Sequence, residues 1–467
     1  MRTKQFTRTA LIALALAALS GTTCSLEYSH YGSDDIGSLQ YKLGWLMENG
    51  EDNTTYTIGV TRDEGLGWFG TYDNKNITIR LKGIGGNRTI NGGLNVPNGV
   101  TLVLDDNITV RGGIDVGDVG SERAALIMNA GSAVSGEVCV GRNGIRGTFT
   151  FTMNDGSAIT GGWVIVANGA FTMNGGTISG STGDGVLVSG TFTMNGGTIS
   201  GNSSSGVNNQ RGTFTMNGGT ISGNSSSGVN NEGGTFTMNS GTISGNTSRN
   251  TGGVSVSLGA TFTMNGGTIR DNTASGSNKA LAYGGGVGVQ GTFTMNGGTI
   301  CGNTATSPDG SFYGGGVGCT NGGTFTMHGG TIRDNTAYGI GHGGGGGVGV
   351  EESGTFTMDG GTISGNTVSS YSDNAYGGGV YINDNYYAFS SITFTKTGGT
   401  IYGYSADDTA NSNVVKDFVN AVLNDHGHAV YADDYGDSSS NKRRETSAGP
   451  GVNLYWNNGT FSGGWDD

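Results

Sequence analysis

The sequence contains very little proline, cysteine, histidine or charge. Only 3 of its 467 residues are Pro, whereas 95 are Gly, and charged residues make up 13%. Low proline, together with the alternating patterns described below, argues against disorder despite the high glycine content. The formal net charge of −13 disfavours nucleic acid as a partner, because such binding needs a basic face. The composition is typical of a folded, secreted protein with a surface rich in Thr, Ser and Asn.

A long apolar run is also missing, and the short one lies at the N-terminus. Basic residues precede the apolar residues 10–19, and small residues follow up to Cys24. This order is typical of a secretory signal, which we place at residues 1–24. The run is too short to span a membrane. Cys24 admits a second interpretation as the lipid-accepting cysteine of a bacterial lipoprotein, although Gly21 stands where that motif has an apolar residue.

The abundant residues form one recurring phrase. Residues 192–202 read Phe-Thr-Met-Asn-Gly-Gly-Thr-Ile-Ser-Gly-Asn. Further copies start at Phe171, Phe214, Phe236, Phe262, Phe293, Phe325 and Phe356, with weaker copies at Phe151 and Phe394. A motif that returns at such steps marks a solenoid, in which each repeat contacts its neighbours.

Within the phrase, apolar residues alternate with Thr, which is the period of a strand with one buried face. Phe192 and Met194 would point inward, and Ile199 resumes the alternation after a Gly-Gly break. A Val-x-Val pair, such as 186–188, precedes the phrase. Each repeat therefore predicts three short strands and three turns. Only stacked repeats can bury these side chains, with Phe on Phe, Met on Met and Ile on Ile.

These repeats resemble those of right-handed parallel β-helix proteins with pectin-lyase-like, three-strand coils. More narrowly, they resemble bacterial polymorphic outer-membrane protein repeats, whose marks are Phe-x-x-Asn and Gly-Gly-Ala followed by an aliphatic residue. Phe-x-x-Asn stands at 171–174, 192–195, 214–217, 236–239, 262–265 and 293–296, and Gly-Gly-Gly-Val stands at 284–287, 314–317 and 377–380. The resemblance implies an all-β right-handed parallel β-helix on a cell surface. Members of that family end in a membrane barrel, which we do not expect here.

The predicted organisation has four parts. A signal at 1–24 precedes an N-terminal cap at 25–55, the β-helix repeats at 56–404 and a C-terminal cap at 405–467. In the first cap, Ile36, Leu39, Leu43 and Leu46 fall at helical spacing, with Ser33-Asp34 as a candidate start and Asn49-Gly50 as the end. Such a helix would cover the open strand edges of the solenoid.

The C-terminal part departs from the repeat. Val414, Phe418 and Val422 suggest a short helical stripe, and residues 429–431 and 452–456 suggest final strands. The only basic cluster, at 442–444, we interpret as a solvated loop.

From residue 246 the repeats lengthen, and the added residues form predicted loops at 273–283, 304–313, 336–342 and 367–376. Loops clustered on a rigid scaffold often carry binding sites. Tyr283, Tyr313 and Tyr376 each stand near the end of a loop, before Gly-Gly-Gly, and His342 takes the matching place between them. Aligned rings with nearby Asn and Ser suit a glycan or a protein partner. The alternative is that the rings stack on each other and shield the loops.

The repeats offer little catalytic chemistry. The residues predicted to face outward in the middle of the three strands include no Asp or Glu. Glycoside hydrolysis normally needs two carboxyl groups, so we predict no catalytic residues and no enzyme. His328 and Asp359 replace Asn on neighbouring coils and form the only candidate dyad in the repeats; a tolerated turn pair is the alternative.

The sequence gives equally little evidence of a metal site or a disulfide bond. The five His residues show no ligand spacing, and the repeats lack the Gly-Gly-x-Gly-x-Asp calcium pattern, so we expect no metal and no cofactor. Besides Cys24, the cysteines are Cys139, Cys301 and Cys319. Cys301 takes an outward Ser position and Cys319 an inward Val position, so we predict no structural disulfide.

The sequence therefore predicts an exported, non-enzymatic β-helix on a cell surface, on the outer membrane or outside the cell, acting in adhesion or as passive structure. Its partner would be a host or environmental glycan or protein, and only an N-terminal lipid would touch the membrane. A carbohydrate-active hydrolase or lyase is the first alternative. The second is ice binding by the outward Thr-x-Thr pairs, such as 191/193, although Thr is also a common exposed strand residue. The oligomeric state stays open.

Overall fold

The computed structural model describes residues 24–26, 38–66, 75–117, 122–141, 147–276, 281–371, 374–384, 392–417, 419–434, 441–457 and 460–466. The predicted signal, up to residue 23, lies outside the described residues. The chain divides into two compact units, residues 1–159 with 168–170 and residues 160–167 with 171–467. Both units are right-handed parallel β-helices, as the repeats predict.

The first unit is made of short strands that pair in parallel, one coil after another. Ile77–Gly83, for example, lies between Thr54–Val60 and Val100–Leu104 in parallel register. Its alternate residues Ile77, Ile79 and Leu81 are buried. The strands that lie wholly or mainly in this unit are Cys24–Leu26, Thr54–Val60, Glu64–Gly65, Ile77–Gly83, Arg88–Asn91, Leu94–Val96, Val100–Leu104, Ile108–Arg111, Ile114–Val116, Arg123–Met128, Ala133–Val134, Val138–Val140, Thr148–Met153 and Ala158–Thr160.

The predicted N-terminal helix is Leu39–Asn49, and its leucines at 39, 43 and 46 are buried as their spacing predicts. Its N-cap is Ser38, whose Oγ accepts a hydrogen bond from the backbone N–H of Tyr41 at 3.2 Å. Ser38 therefore takes the N-cap role that was predicted for residues 33–34, which lie outside the described residues. The Glu64 carboxylate accepts the N–H of Leu39, where the helix dipole favours a negative charge. Among the described residues, no helix is long and apolar enough to cross a membrane.

The second unit contains the three predicted strands of each repeat, stacked into three ladders. The Phe ladder comprises Ala170–Met173, Thr191–Met194, Thr213–Met216, Thr235–Met238, Thr261–Met264, Thr292–Met295, Thr324–Met327, Thr355–Met358 and Thr393–Lys396. The Ile ladder comprises Thr177–Ser179, Thr198–Ser200, Thr220–Ser222, Thr242–Ser244, Thr268–Arg270, Thr299–Cys301, Thr331–Arg333, Thr362–Ser364 and Thr400–Ile401. The Val ladder comprises Val164–Val166, Val186–Val188, Val207–Asn209, Val229–Asn231, Val254–Val256, Val287–Val289, Val317–Cys319, Val348–Glu351, Val380–Asp384 and Val430–Asp434.

Identical side chains stack along the interior of these ladders. From Phe171 to Phe356, the rings of neighbouring coils lie 4.6–4.8 Å apart and within 5–6° of parallel. Met194 pairs in register with Met216, and Ile199 with Ile221. The predicted stacking of Phe, Met and Ile is therefore confirmed.

A buried asparagine ladder follows the Ile ladder, and sequence analysis missed its role. In each case the side-chain N–H of one Asn donates to the Oδ1 of the next, at 2.9–3.0 Å. The backbone N–H of most members donates to the same oxygen. The members are Asn202, Asn224, Asn246, Asn272, Asn303, Asn335, Asn366 and Asn413. The ladder satisfies turn groups that would otherwise be buried without partners.

The lengthened repeats form much shorter loops than predicted, because many of the added residues build two more ladders. The fourth ladder comprises Thr247–Ser248, Thr273–Ser275, Thr304–Ser307, Thr336–Gly339, Thr367–Ser370 and Val414–Asp417. The fifth ladder comprises Ala282–Tyr283, Phe312–Tyr313, Gly343–Gly344 and Ala375–Tyr376. Between them lies a second small core of Ala274, Ala282, Ala305, Phe312, Ala337, Val368, Ala375 and Val415. The prediction of loops was therefore wrong at these positions.

Two predictions for the C-terminal part were also wrong. Val414–Asp417 is a strand of the fourth ladder instead of a helix, because Thr367–Ser370 offers it a parallel edge to pair with. Residues Lys442–Arg444 form a strand antiparallel to Val430–Asp434 instead of a solvated loop. The predicted final strands do form, as Val430–Asp434 and Leu454–Asn457.

Two antiparallel strands extend the sheet beyond the last strand of the Phe ladder. Leu454–Asn457 pairs with Thr393–Lys396, and Thr460–Gly463 pairs with Leu454–Asn457. Lys396 takes the position that Met358 holds in the previous coil. Its side chain is buried, and Nζ donates to the carbonyl oxygens of Gly449 and Val452 at 2.8 and 2.9 Å. Burial lowers the pKa of Lys396 to about 8.

The buried asparagine ladder predicts that substitution of one of its interior members strongly destabilises the protein. We expect Asn303→Ala to lower the free energy of unfolding by about 1–3 kcal/mol, because buried partners on both sides lose their hydrogen bonds. Asn265→Ala is the matched control, since Asn265 belongs to an exposed ladder and surface changes usually cost within about 0.5 kcal/mol. Urea denaturation followed by circular dichroism measures both, and equal costs would contradict the role assigned to the buried ladder.

Lys396 predicts a dependence of stability on pH. Its folded pKa of about 8 lies below the ordinary value of 10.5, so the unfolded chain binds more protons between these values. The contribution of Lys396 to the free energy of unfolding should therefore rise from pH 8 to pH 10.5. We expect the stability of Lys396→Met, measured relative to the wild type by urea denaturation, to fall across this window. A difference that stays constant with pH would contradict a buried, shifted lysine.

Candidate binding site: an aromatic wall

The predicted aromatic residues lie along the fifth ladder, but not all in one register. Tyr283 pairs with Tyr313, Tyr313 with Gly344, and Gly344 with Tyr376. His342 lies two residues before Gly344, so it does not take the matching place that the sequence suggested. The ladder therefore has a position without a side chain between Tyr313 and Tyr376.

Tyr381 of the Val ladder fills this position. A Cβ atom on Gly344 would lie 2.2 Å from Cγ of Tyr381, so only glycine leaves room for the ring. The Tyr381 ring lies 6.1 Å from the rings of both Tyr313 and Tyr376. The sequence placed Tyr381 on the outside, but its side chain is fully buried under the fifth ladder.

The position of the fifth ladder over the Val ladder also explains the glycines in the middle of the Val strands. Gly288, Gly318 and Gly349 were predicted to face outward, yet they are buried because the fifth ladder crosses over them. A Cβ atom on Gly349 would lie 2.8 Å from the backbone nitrogen of Gly314 and 3.0 Å from Cβ of Tyr313. Glycine at this position therefore allows the two layers to approach closely.

A cluster of stacked rings, the aromatic wall, extends over the last coils. It comprises Tyr313, His342, Tyr376, Tyr381, His426 and Tyr431. Tyr376 is its centre, with ring centroids 4.6 Å from Tyr431, 5.2 Å from His426 and 6.5 Å from His342. Of these residues, Tyr313 and Tyr381 are buried, whereas the others are partly or fully exposed. The accessible part of the wall is therefore His342, Tyr376, His426 and Tyr431.

Tyr283 stands apart from these rings. It is partly exposed, and its hydroxyl oxygen accepts a hydrogen bond from Nε2 of Gln290 at 3.2 Å. Burial raises the pKa of Tyr283, with a contribution from the nearby charge of Glu352. Tyr283 and Tyr313 thus belong to one ladder, but Tyr313 is covered and Tyr283 is accessible.

A polar row lies behind the wall, and sequence analysis missed it. Glu351 pairs in register with Asn383, and Asn383 with Asp433, on consecutive Val-ladder strands. The Tyr381 hydroxyl donates to Oδ2 of Asp433 at 3.2 Å. The search for outward carboxyl groups in the sequence considered only the middle residue of each Val-x-Val. The carboxyl groups of this row lie on strands that continue beyond the second Val position, so the continuation of these strands was the signal that could have revealed the row.

Burial dominates the ionisation of this region. It raises the pKa of the Tyr313 and Tyr381 hydroxyl groups, and it raises that of Tyr431 to about 12 with help from the charge of Asp433. Burial also raises the pKa of Glu351 well above its ordinary value, and the neighbouring charge of Glu352 adds to this effect. The wall is therefore neutral at its hydroxyl groups.

The candidate dyad lies on the turn after the Phe ladder. Nδ1 of His328 is 2.9 Å from both carboxyl oxygens of Asp359, and both side chains are nearly half exposed. In earlier coils this turn carries an exposed row of hydrogen-bonded asparagines, such as Asn195 and Asn217. The pair thus replaces an amide contact between coils by a His–carboxylate contact, which fits the turn-pair interpretation.

Two cysteines occupy the predicted positions. Cys319 is buried, its thiol donates to the carbonyl oxygen of Gly323 at 3.1 Å, and burial raises its pKa to about 12. Cys301 is partly exposed between Arg270 and Arg333 of the neighbouring strands, and burial raises its pKa as well. Among the described residues both are free thiols. Raised pKa values make both thiols poor nucleophiles.

Comparison with known proteins adds no family to this description. No protein-family model, curated protein or solved structure matches the chain. The class of protein is therefore defined by its own strands as a parallel β-helix, and any function has to be argued from the site.

The close approach at Gly349 can be tested. We expect Gly349→Ala to lower the free energy of unfolding by about 1–3 kcal/mol, because the added methyl group meets the backbone of Gly314. Ser255→Ala is the matched control, since Ser255 holds the same middle position earlier in the Val ladder, where it is partly exposed. Thermal denaturation reports stability, and near-ultraviolet circular dichroism reports the tyrosine packing. If Gly349→Ala proved neutral, the fifth ladder would not lie over the Val ladder as described.

Proposed function

We propose that this protein is an exported, non-enzymatic β-helix that binds a ligand at a cell surface through its aromatic wall. The observation that carries the proposal is the stack of His342, Tyr376, His426 and Tyr431 from successive coils, in which each of the four residues stays partly or fully exposed. Aromatic side chains fixed by stacking supply contact area at little cost in conformational entropy.

A glycan is the ligand class that fits the wall best, and a protein partner is the alternative within the same proposal. Polar groups border the rings. Asp433 lies near Tyr431, and Nδ2 of Asn441 donates to the Tyr431 hydroxyl at 3.2 Å. Rings bordered by amide and carboxyl groups suit a sugar, which offers apolar C–H faces and hydroxyl groups together.

Export is supported by the sequence alone. The basic and apolar residues before Cys24 are those of a secretory signal. The repeats, with Phe-x-x-Asn and Gly-Gly-Gly-Val, resemble polymorphic outer-membrane protein repeats, which supports a place on the outer membrane or outside the cell. Residues Cys24–Leu26 pair with Tyr56–Ile58, so a lipid on Cys24 would tether the chain at an edge strand of its first unit.

The binding proposal is tested with residues 25–467 on an array of glycans and host-matrix proteins. We expect a specific signal from the wild type and at least about a tenfold loss of affinity in His342→Ala/Tyr376→Ala, equivalent to about 1.4 kcal/mol. Tyr376 is the central ring of the wall, so its removal breaks the accessible stack.

The matched control is His328→Ala/Tyr338→Ala, which removes one His and one exposed Tyr outside the wall. Circular dichroism establishes that each variant is folded. Equal loss in both double variants would argue against the wall, and the absence of any signal from folded wild type would favour a passive structural role.

The same samples separate the two other functions. A carbohydrate-active enzyme would release products from a bound glycan, and Asp433→Asn would abolish that release. The outward Thr pairs of the Phe ladder lie in register from coil to coil, which favours ice binding as a second candidate. An ice-binding protein would slow the recrystallisation of ice at micromolar concentration.

A further inference from the structure

The polar row behind the aromatic wall contains two buried oxygen atoms without a donor. Glu351 is 3% exposed and Asn383 is 5% exposed. Within the described part of the chain, neither Oε1 of Glu351 nor Oδ1 of Asn383 has a hydrogen-bond partner. Buried polar atoms are normally satisfied, so these two acceptors on adjacent strands require an explanation.

The surroundings of the two oxygen atoms are negative or neutral. The Tyr313 hydroxyl group lies near both Glu351 and Asn383, and Asp433 follows Asn383 in the same row. Glu352 adds a second carboxylate beside Glu351. No described lysine or arginine forms an ion pair with Glu351. A buried carboxyl group in such surroundings either stays protonated or takes a positive partner, and a bound cation would stabilise its ionised form.

The donor set selects the chemistry of that partner. Carboxylate, amide and phenol oxygens are hard ligands, which suit calcium or magnesium better than a transition metal. Among the described residues no three His, Cys, Asp or Glu side chains converge, so the site would depend on the Asn383 amide as well as on carboxylates. Asp433 is partly exposed, which gives a path from solvent to the row.

Coordination geometry distinguishes the two cations. Glu351 and Asn383 lie in register on neighbouring parallel strands, which are about 4.8 Å apart. Calcium accepts six to eight oxygen ligands at about 2.3–2.6 Å in a flexible geometry, which suits side chains from separate strands, whereas magnesium demands a near-ideal octahedron at about 2.0–2.1 Å and keeps several water molecules. We propose that Glu351 and Asn383, with Asp433 on the next strand, form a calcium-binding site. This proposal departs from the sequence-based expectation of no metal and does not depend on the aromatic wall binding a glycan.

The test uses the full chain after treatment with a chelator. We expect millimolar calcium to raise the melting temperature, and magnesium at the same concentration to raise it much less. Terbium should luminesce on excitation of tyrosine, because the Tyr313 and Tyr381 rings lie beside the row, and calcium should displace it. Isothermal titration gives the dissociation constant.

Variants locate the site. Glu351→Gln should weaken calcium binding at least tenfold, whereas Glu352→Gln, which removes the neighbouring charge, should change it less than threefold. If Glu351→Gln did not fold, Asp433→Asn at the partly exposed end would serve, with weaker binding expected. The proposal is overturned if wild type binds no calcium at millimolar concentration. It is also overturned if Glu352→Gln weakens binding as much as Glu351→Gln, since the cation would then be held by general surface charge.

Discussion

Contact between identical side chains in successive coils fixes the register on which the rest of the second unit depends. Gly-rich segments define register weakly on their own, although a slip of one residue would move every inward side chain to the opposite face. Here the buried asparagines remove that freedom. Asn303 accepts two hydrogen bonds from Asn272 and donates to Asn335, and a shifted coil would lose all of them. The stacked Phe rings add apolar contact in the same register.

A fixed register permits insertions only where the chain returns to the same place. The lengthened repeats leave after the asparagine ladder and rejoin at the Val ladder, and the added residues pair with the corresponding residues of the next coil. A small core of alanines and a few larger residues then becomes possible between the fourth and fifth ladders. Gly288, Gly318 and Gly349 are required because this layer lies directly on the Val strands. The close contact of these two layers therefore explains the unusual Gly-Gly-Gly-Val-Gly sequence.

The interior of the fold could be predicted from the sequence because it is repetitive. The alternation around Phe192 and Met194 gives the buried face, and the recurrence of the phrase gives the stacking partner. The second layer could not be predicted in the same way, since alanines such as Ala274 and Ala305 carry little hydrophobic signal. The helical stripe predicted from Val414, Phe418 and Val422 was wrong for a related reason, because apolar spacing alone does not reveal a neighbouring strand edge at Thr367–Ser370.

The candidate site was only partly predictable because its members meet through coil stacking over variable intervals. Tyr376 could be identified from its place before a glycine triplet. Tyr431 comes from the next coil of the Val ladder, after an irregular segment that hides the repeat. Glu351 and Asp433 stand 82 residues apart (433 − 351) in sequence, but a single strand separates them in the ladder. The register between coils therefore determines which polar side chains meet on the surface of such a fold. That register can be assigned only when the strands that run past each Val-x-Val pair are known.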